Sequence, residues 1–229
     1  LPMSFLGVAM VCIFPNFMAL GLEHTTAARA GLLYATMPLC TIIIAYFFKI
    51  EQITINKSIA VLLAIIGVSF CISEKVDNNF SNTLRGDFLM MVGVLSASCF
   101  TVFSGKFLKK YGNVPVMIYV IFIGSLCNFF LSLTLGNPIQ SLVKINNFEL
   151  LALIMLILPG GVLMMYCWGK ALQLITPTQA AISLGFNPLS AILLGSIILN
   201  EEVTIRLLLG FATIIMAIVI ANWNFKRAS

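Results

Sequence analysis

Charge is what this chain has least of. Asp, Glu, Lys and Arg make up 9% of its 229 residues, where an ordinary soluble domain carries about 25%. That scarcity, beside 60% hydrophobic residues, excludes a water-soluble globular protein. Thirteen Lys plus Arg against eight Asp plus Glu leave a net charge of +5. They fall in short clusters between long uncharged runs, so there is no basic surface for nucleic acid. Histidine is almost absent: His24 stands alone. Neither HExxH nor GxSxG occurs, which leaves metal and hydrolase chemistry without a foundation. Cysteine pairing is missing too. Cys12, Cys40, Cys71, Cys99, Cys127 and Cys167 stand singly inside apolar runs with no CxxC, the pattern of reduced packing thiols. No cofactor is expected.

What the chain does have is long apolar runs. A bilayer-spanning helix needs about 20 predominantly apolar residues. Cutting at charged and turn-rich stretches gives eight spans, at 1–22, 30–48, 58–73, 88–105, 114–136, 150–169, 179–199 and 207–225. The fold class is therefore all-α integral membrane, with lipid as the solvent. The first run lacks a basic n-region and a small-residue cleavage site, and it carries Pro15 and Asn16 in its interior. It reads as a helix of the fold and not as a signal peptide. Short-loop cations set orientation. The loops after spans two, four and six, with the tail, hold eight (Lys49, Lys57, Lys106, Lys109, Lys110, Lys170, Lys226, Arg227), and the others hold five (Arg29, Lys75, Arg85, Lys144, Arg206). This bias predicts a multi-pass protein of the cell inner (plasma) membrane with a cytoplasmic C-terminus.

The sequence also repeats itself. Around Pro38 it reads Ala19-Leu-Gly-Leu, Thr25-Thr-Ala-Ala, Met37-Pro-Leu and Glu51-Gln-Ile-Thr54. Around Pro188 it reads Ala171-Leu-Gln-Leu, Thr176-Pro-Thr-Gln-Ala-Ala, Asn187-Pro-Leu and Glu201-Glu-Val-Thr204. Proline precedes glutamate by 13 residues in both copies, and the offset between copies is 150, or 152 at the upstream Ala-Leu pair. Five spans separate equivalent elements, an odd number, so the copies are expected to cross the membrane in opposite senses. Secondary transporters built on inverted repeats place substrate near the midplane between the two halves. The second copy has 84 residues from Asp87 to Ala171, where 18 precede Ala19 in the first. The shortfall of about 66 is two spans with their connections, which reads as a fragment of a five-plus-five fold.

These doubled motifs, with Arg85-Gly-Asp87 opening the second half, resemble the drug/metabolite transporter superfamily and within it the EamA-like permeases. The resemblance covers nearly the whole chain. It implies a ten-helix inverted-repeat transporter, of which residues 1–74 are the last three helices of the first repeat and 86–225 the second repeat. It also implies a permease that exports or exchanges a small organic metabolite, such as an amino acid, a purine or a drug-like molecule, by alternating access. Within the superfamily the alternative is an organophosphate or nucleotide-sugar antiporter, which would bury basic side chains; only Lys106, Lys170 and Arg29 are at hand. From another class the alternative is an integral-membrane enzyme, for which the adjacent Glu201 and Glu202 are the nearest thing to a carboxylate pair.

Pro38 and Pro188 fall mid-span, where the missing N–H bends a helix and frees carbonyls. Glu51 and Glu201 precede Thr54 and Thr204 at the start of the next helix, where a carboxylate serves the cap and the dipole of that helix. Gln179, Ser183 and Asn187 are spaced i, i+4, i+8, a polar stripe on one helical face ending at Pro188. With Tyr34 on the equivalent helix, and Asn16 and Trp168 at equivalent positions of the preceding helices, they form the candidate substrate cavity. Ala60 and Gly210, Gly67 and Ala217 mark close helix packing. The expected partners are a small-molecule substrate and the lipid bilayer.

Overall fold

The structure is a computed structural model that describes residues 2–24, 30, 33–72, 83–135, 146–185, 187 and 205–222. Among the described residues it contains helices and no strand. In chain order they are α1 (Pro2–Leu22), α2 (Leu33–Phe47), α3 (Ile55–Ile72), α4 (Thr83–Tyr111), α5 (Asn113–Leu135), α6 (147–174), α7 (Pro177–Ser183) and α8 (Ile205–Asn222). Four are long and apolar enough to cross a bilayer: α1, 84–111 of α4, 113–134 of α5 and 149–174 of α6. The chain is an all-α membrane protein.

The first six expected spans and the eighth have helical counterparts among the described residues, but the ends move. The span set at 88–105 is the 29-residue α4, about 43 Å at 1.5 Å per residue against a hydrocarbon core of about 30 Å. Its charged ends, Arg85 and Asp87 at one and Lys106 to Lys110 at the other, continue the helix into the headgroup layers, where lysine stems snorkel. The span at 150–169 likewise runs from Asn147 to Leu174. Gly112, at φ 87°, makes the sharp reversal from α4 to α5, a conformation only glycine adopts freely. Of the span at 179–199, most lies outside the described residues.

Two helices are not regular α throughout. In α1, Val8–Ile13 winds as π-helix between α-helical Pro2–Gly7 and Phe14–Leu22. In α6, Leu156–Leu163 does the same around Pro159. Under the 152-residue offset the two π segments overlap. The cause in α1 is legible: Pro15 offers no N–H, so the Val11 carbonyl lacks its helical donor. Asn128 of α5 donates to the Val11 carbonyl at 2.8 Å, Asn16 donates to Cys12 O at 2.7 Å and to Asn128 Oδ1 at 2.5 Å, and Ser96 of α4 donates to Ala9 O at 2.6 Å. Side chains from two neighbouring helices thus bond carbonyls of the wide turn: Asn128 meets the one that Pro15 deprives of its donor, and Ser96 adds to the Phe14 N–H at Ala9 O. Asn128→Leu is expected to cost about 1–2 kcal/mol, read as a lower melting temperature in detergent; an unchanged melting temperature would remove this role.

Close approach depends on small residues. A Cβ on Gly7 would stand 2.9 Å from the Val120 carbonyl oxygen, so α1 and α5 pack backbone to backbone. Helices α3 and α8 make the most extensive contact of the fold, through Ala60, Val61, Ala64, Ala217 and Ala221, with Gly67 and Gly210 also buried. The small residues picked out in the sequence lie in this interface. The N-terminus of α3 is tied to the start of α7 by way of Glu51, which pairs with Lys57 and accepts from Thr178, and the C-terminus of α8 meets the start of α7 through the Ala221 carbonyl, so α3 and α8 run antiparallel.

Candidate functional site

Helix α7 packs against α2, α4 and α6, and α1 packs against α4. In α2 the Thr36 N–H bonds the Leu33 carbonyl at 3.0 Å, an i to i+3 link just ahead of Pro38. Beyond α7 the same tightening recurs: Leu184, Gly185 and Asn187 donate to Ala181, Ile182 and Leu184 at 3.0 to 3.1 Å, just ahead of Pro188. A turn of three residues rotates the chain differently from an α turn. Gln179, Ser183 and Asn187 therefore do not share one uninterrupted face. Gln179 is buried, Ser183 is half-buried and Asn187 is exposed.

Their partners differ as well. Gln179 forms a capping box with Thr176: its backbone N–H donates to Thr176 Oγ1 and its side-chain oxygen accepts from the Thr176 N–H at 3.0 Å. Its amide nitrogen donates to the Ala221 carbonyl at 3.1 Å. This is the work of a helix start and an interhelical tie. Ser183 donates to Ala180 O within its own helix. Asn187 hydrogen-bonds the Tyr34 hydroxyl, so the structure brings the residue before Pro188 to the one four before Pro38.

Around that pair lies a shell of aromatic and thioether side chains. The Phe14 and Tyr34 rings stack with centroids 6.1 Å apart and planes at 29°. Met37, Val94 and Ala97 form the floor, with Met10, Cys40 and Leu184 against them. Met10 also touches the adjoining cluster that holds Trp168 and Phe100. Three polar atoms in the surrounding helices are buried without a hydrogen-bond partner: Thr41 Oγ1 in α2, Ser104 Oγ in α4 and Trp168 Nε1 in α6. Unpartnered buried donors carry a desolvation cost of about 1–3 kcal/mol each. Among the described residues this shell contains no Asp, Glu, Lys or Arg. Its chemistry is that of aromatic faces, one phenol and one amide. Asn16 takes no part in it, being tied to the π turn of α1.

Glu51 is placed differently from the sequence expectation. It does not cap α3, whose first turn instead meets Thr54, with the Lys57 N–H 3.4 Å from Thr54 Oγ1. Glu51 Oε2 accepts from the backbone N–H of Thr178 at 3.2 Å and from its hydroxyl at 2.9 Å, and Oε1 meets Lys57 Nζ at 2.6 Å. The Glu51 side chain is 4% exposed. It serves the N-terminus of α7, 127 residues away, where a positive helix end welcomes it. Sequence reading missed Thr178 and Lys57 as its partners; the Thr-Pro-Thr start of α7 was the signal. Pro188 and Glu201, like Arg29, lie outside the described residues.

Six lysines (49, 57, 106, 109, 110 and 170) gather at this same end of the bundle. Phe48 packs edge-on against Phe103 at 4.8 Å, Gln173 donates to Leu108 O, and Asn113 donates to Tyr166 O. These contacts bring the ends of α2, α4 and α6 together with the starts of α3, α5 and α7. At the other end Gly21 lies against Met90 and the Gly86 carbonyl, and the described charges are Glu23, Arg85, Asp87 and Glu149.

A helical bundle of this hydropathy, with four helices long and apolar enough to cross a bilayer, is a multi-pass membrane protein. Comparison with known proteins gives the family. The family model described as the EamA-like transporter family matches residues 1–73 and again 84–223, and the chain belongs to that family. It is similar to an uncharacterized transporter of Clostridium kluyveri, 25% identical over 97% of this chain and 72% of the relative. It is similar also to one of Archaeoglobus fulgidus, 27% identical over 94% of this chain and 75% of the relative. A WAT1-related protein of Arabidopsis thaliana is 22% identical over 93% of this chain and 70% of its own length. A solved crystal structure superposes with a TM-score of 0.81 at 16% identity, covering 99% of this chain and 77% of that one.

Proposed function

We propose that this protein is a secondary-type permease that exports or exchanges a small organic metabolite by alternating access. The substrate would carry an apolar or cationic portion, as in an amino acid, a purine or a drug-like molecule. The observation that carries the reading is the Phe14, Tyr34 and Asn187 constellation, uncharged and aromatic, where α2 meets the turn beyond α7. An aromatic face attracts cations and apolar groups, whereas a phosphate would need basic side chains at that depth.

Rocking requires two halves related by an inverted repeat, which we place at 1–74 and 86–225. In support, the family model matches twice, and α3 and α8 begin 150 residues apart, have 18 residues each and run antiparallel. The lysine-rich end favours a cytoplasmic placement in the inner membrane, and hence a cytoplasmic C-terminus. The test is uptake and efflux in proteoliposomes against a metabolite panel, with and without a pH gradient. Counterflow of one organic class, lost on Tyr34→Ala with insertion intact, is the expected result. Transport confined to organophosphates would overturn the substrate assignment.

A further inference from the structure

The cysteines stand singly in the sequence, but folding brings two of them together. Cys12, in the π turn of α1, and Cys127, in α5, hydrogen-bond through their thiols. The packing around them shows why. A Cβ on Gly124 would collide with the Val11 side chain and the Gly7 carbonyl, so α1 and α5 approach closely at this level. Asn128, next to Cys127 in the chain, bonds the Val11 carbonyl at 2.8 Å, next to Cys12. Cys12 is 5% exposed and Cys127 is half-buried. The Asn16 amide nitrogen lies 3.9 Å from Cys12 Sγ, a donor beside the sulfur. No charged residue occurs from Leu1 to Leu22 or from Tyr111 to Val143. Among the described residues, no third His, Cys, Asp or Glu joins the two thiols.

We infer that Cys12 and Cys127 form a two-sulfur site for a soft cation that takes linear coordination, of which mercuric ion is the type. Thiolate sulfur selects soft metals, whereas zinc takes three or four protein ligands. Two sulfurs with no third partner suit an ion that needs only two. Charge then chooses among soft ions. The two thiols release both protons to water as two S–Hg bonds form, so a doubly charged cation leaves the site neutral. Silver or cuprous ion would leave a net negative charge among apolar side chains, which is costly. Two sulfurs on a linear cation stand farther apart than two hydrogen-bonded thiols, and a change of χ1 at either cysteine supplies the difference. The Asn16 amide supports the sulfur as a ligand, as hydrogen bonds around metal sites do.

Native mass spectrometry of the full chain carrying Cys40→Ala, Cys71→Ala, Cys99→Ala and Cys167→Ala tests this with mercuric ion as the probe. One mercury per chain, with two protons lost, is expected. Adding Cys12→Ser or Cys127→Ser leaves a single sulfur and is expected to weaken retention against a competing small thiol by about a hundredfold, because the second bond forms intramolecularly. Zinc ion is expected to wash out. The unaltered chain gives a readout that does not depend on the alanine background folding: after one equivalent of mercuric ion and digestion, mercury is expected to bridge the peptides that carry Cys12 and Cys127. Two mercury atoms per chain in the alanine background overturn the site, as does retention unchanged by either serine variant. Zinc held as firmly as mercury, or mercury mapped to other cysteines of the unaltered chain, overturns it equally.

Discussion

Glu51→Leu is expected to cost about 3–5 kcal/mol, because removing one member of a buried ion pair leaves the other uncompensated. The orphan is Lys57, whose side chain is 16% exposed. The same substitution strips two hydrogen bonds from the N-terminus of α7. The loss should appear as low expression and a melting temperature depressed by several degrees in detergent. Adding Lys57→Met to that background removes the stranded ammonium and is expected to recover most of the stability, since an ion pair exchanged for apolar side chains is often neutral. Glu51→Gln keeps an acceptor for Thr178 and should fall between. Its signature is lost stability with substrate selectivity retained. A normally expressed Glu51→Gln protein whose transport had lost its pH dependence would move Glu51 from holding helices together to coupling.

How much of this was legible beforehand depends on the range of the interaction. The helices came from run length and their rough order from charge, because lipid imposes a local rule on each residue. The tightened turns at 33–36 and 181–187 lie just ahead of the two rings that the sequence marks at Pro38 and Pro188. Glu51 could be read as serving a helix start, since a carboxylate beside a turn has few other uses. Which helix it serves could not, because Thr178 comes near only through tertiary packing.

An i, i+4, i+8 pattern assumes unbroken α winding, yet the bonds over 184–187 are of the i to i+3 kind. The Thr176-x-x-Gln179 capping box was visible in the sequence and competed with the cavity reading of Gln179. The Asn16 role followed from Pro15, one residue before it, but needed Asn128 from another helix to be recognised. Phe14 gave no signal, being one of 18 phenylalanines until its ring is seen against Tyr34.

Gln179 and Asn187 are thereby separated, and their variants are expected to fail in opposite ways. Gln179→Leu removes the capping box and the tie to Ala221, a loss of about 1–2 kcal/mol by analogy with other caps and interhelical bonds. Its substrate profile should be kept. Asn187→Leu removes an exposed amide whose partner is the Tyr34 phenol, so the bundle should insert and melt as before. A polar contact to substrate is worth about 1–3 kcal/mol when its partner is left unpaired, or roughly a tenfold or greater fall in transport at sub-saturating substrate. Cysteine replacement in a background lacking the six native cysteines gives an independent readout. Asn187→Cys is expected to react with a water-soluble thiol reagent and to be protected by substrate, while Gln179→Cys, at a position 5% exposed, reacts slowly. If position 187 proves inert and Asn187→Leu transports normally, the meeting point of the proline helices is packing and the substrate path lies elsewhere in the bundle.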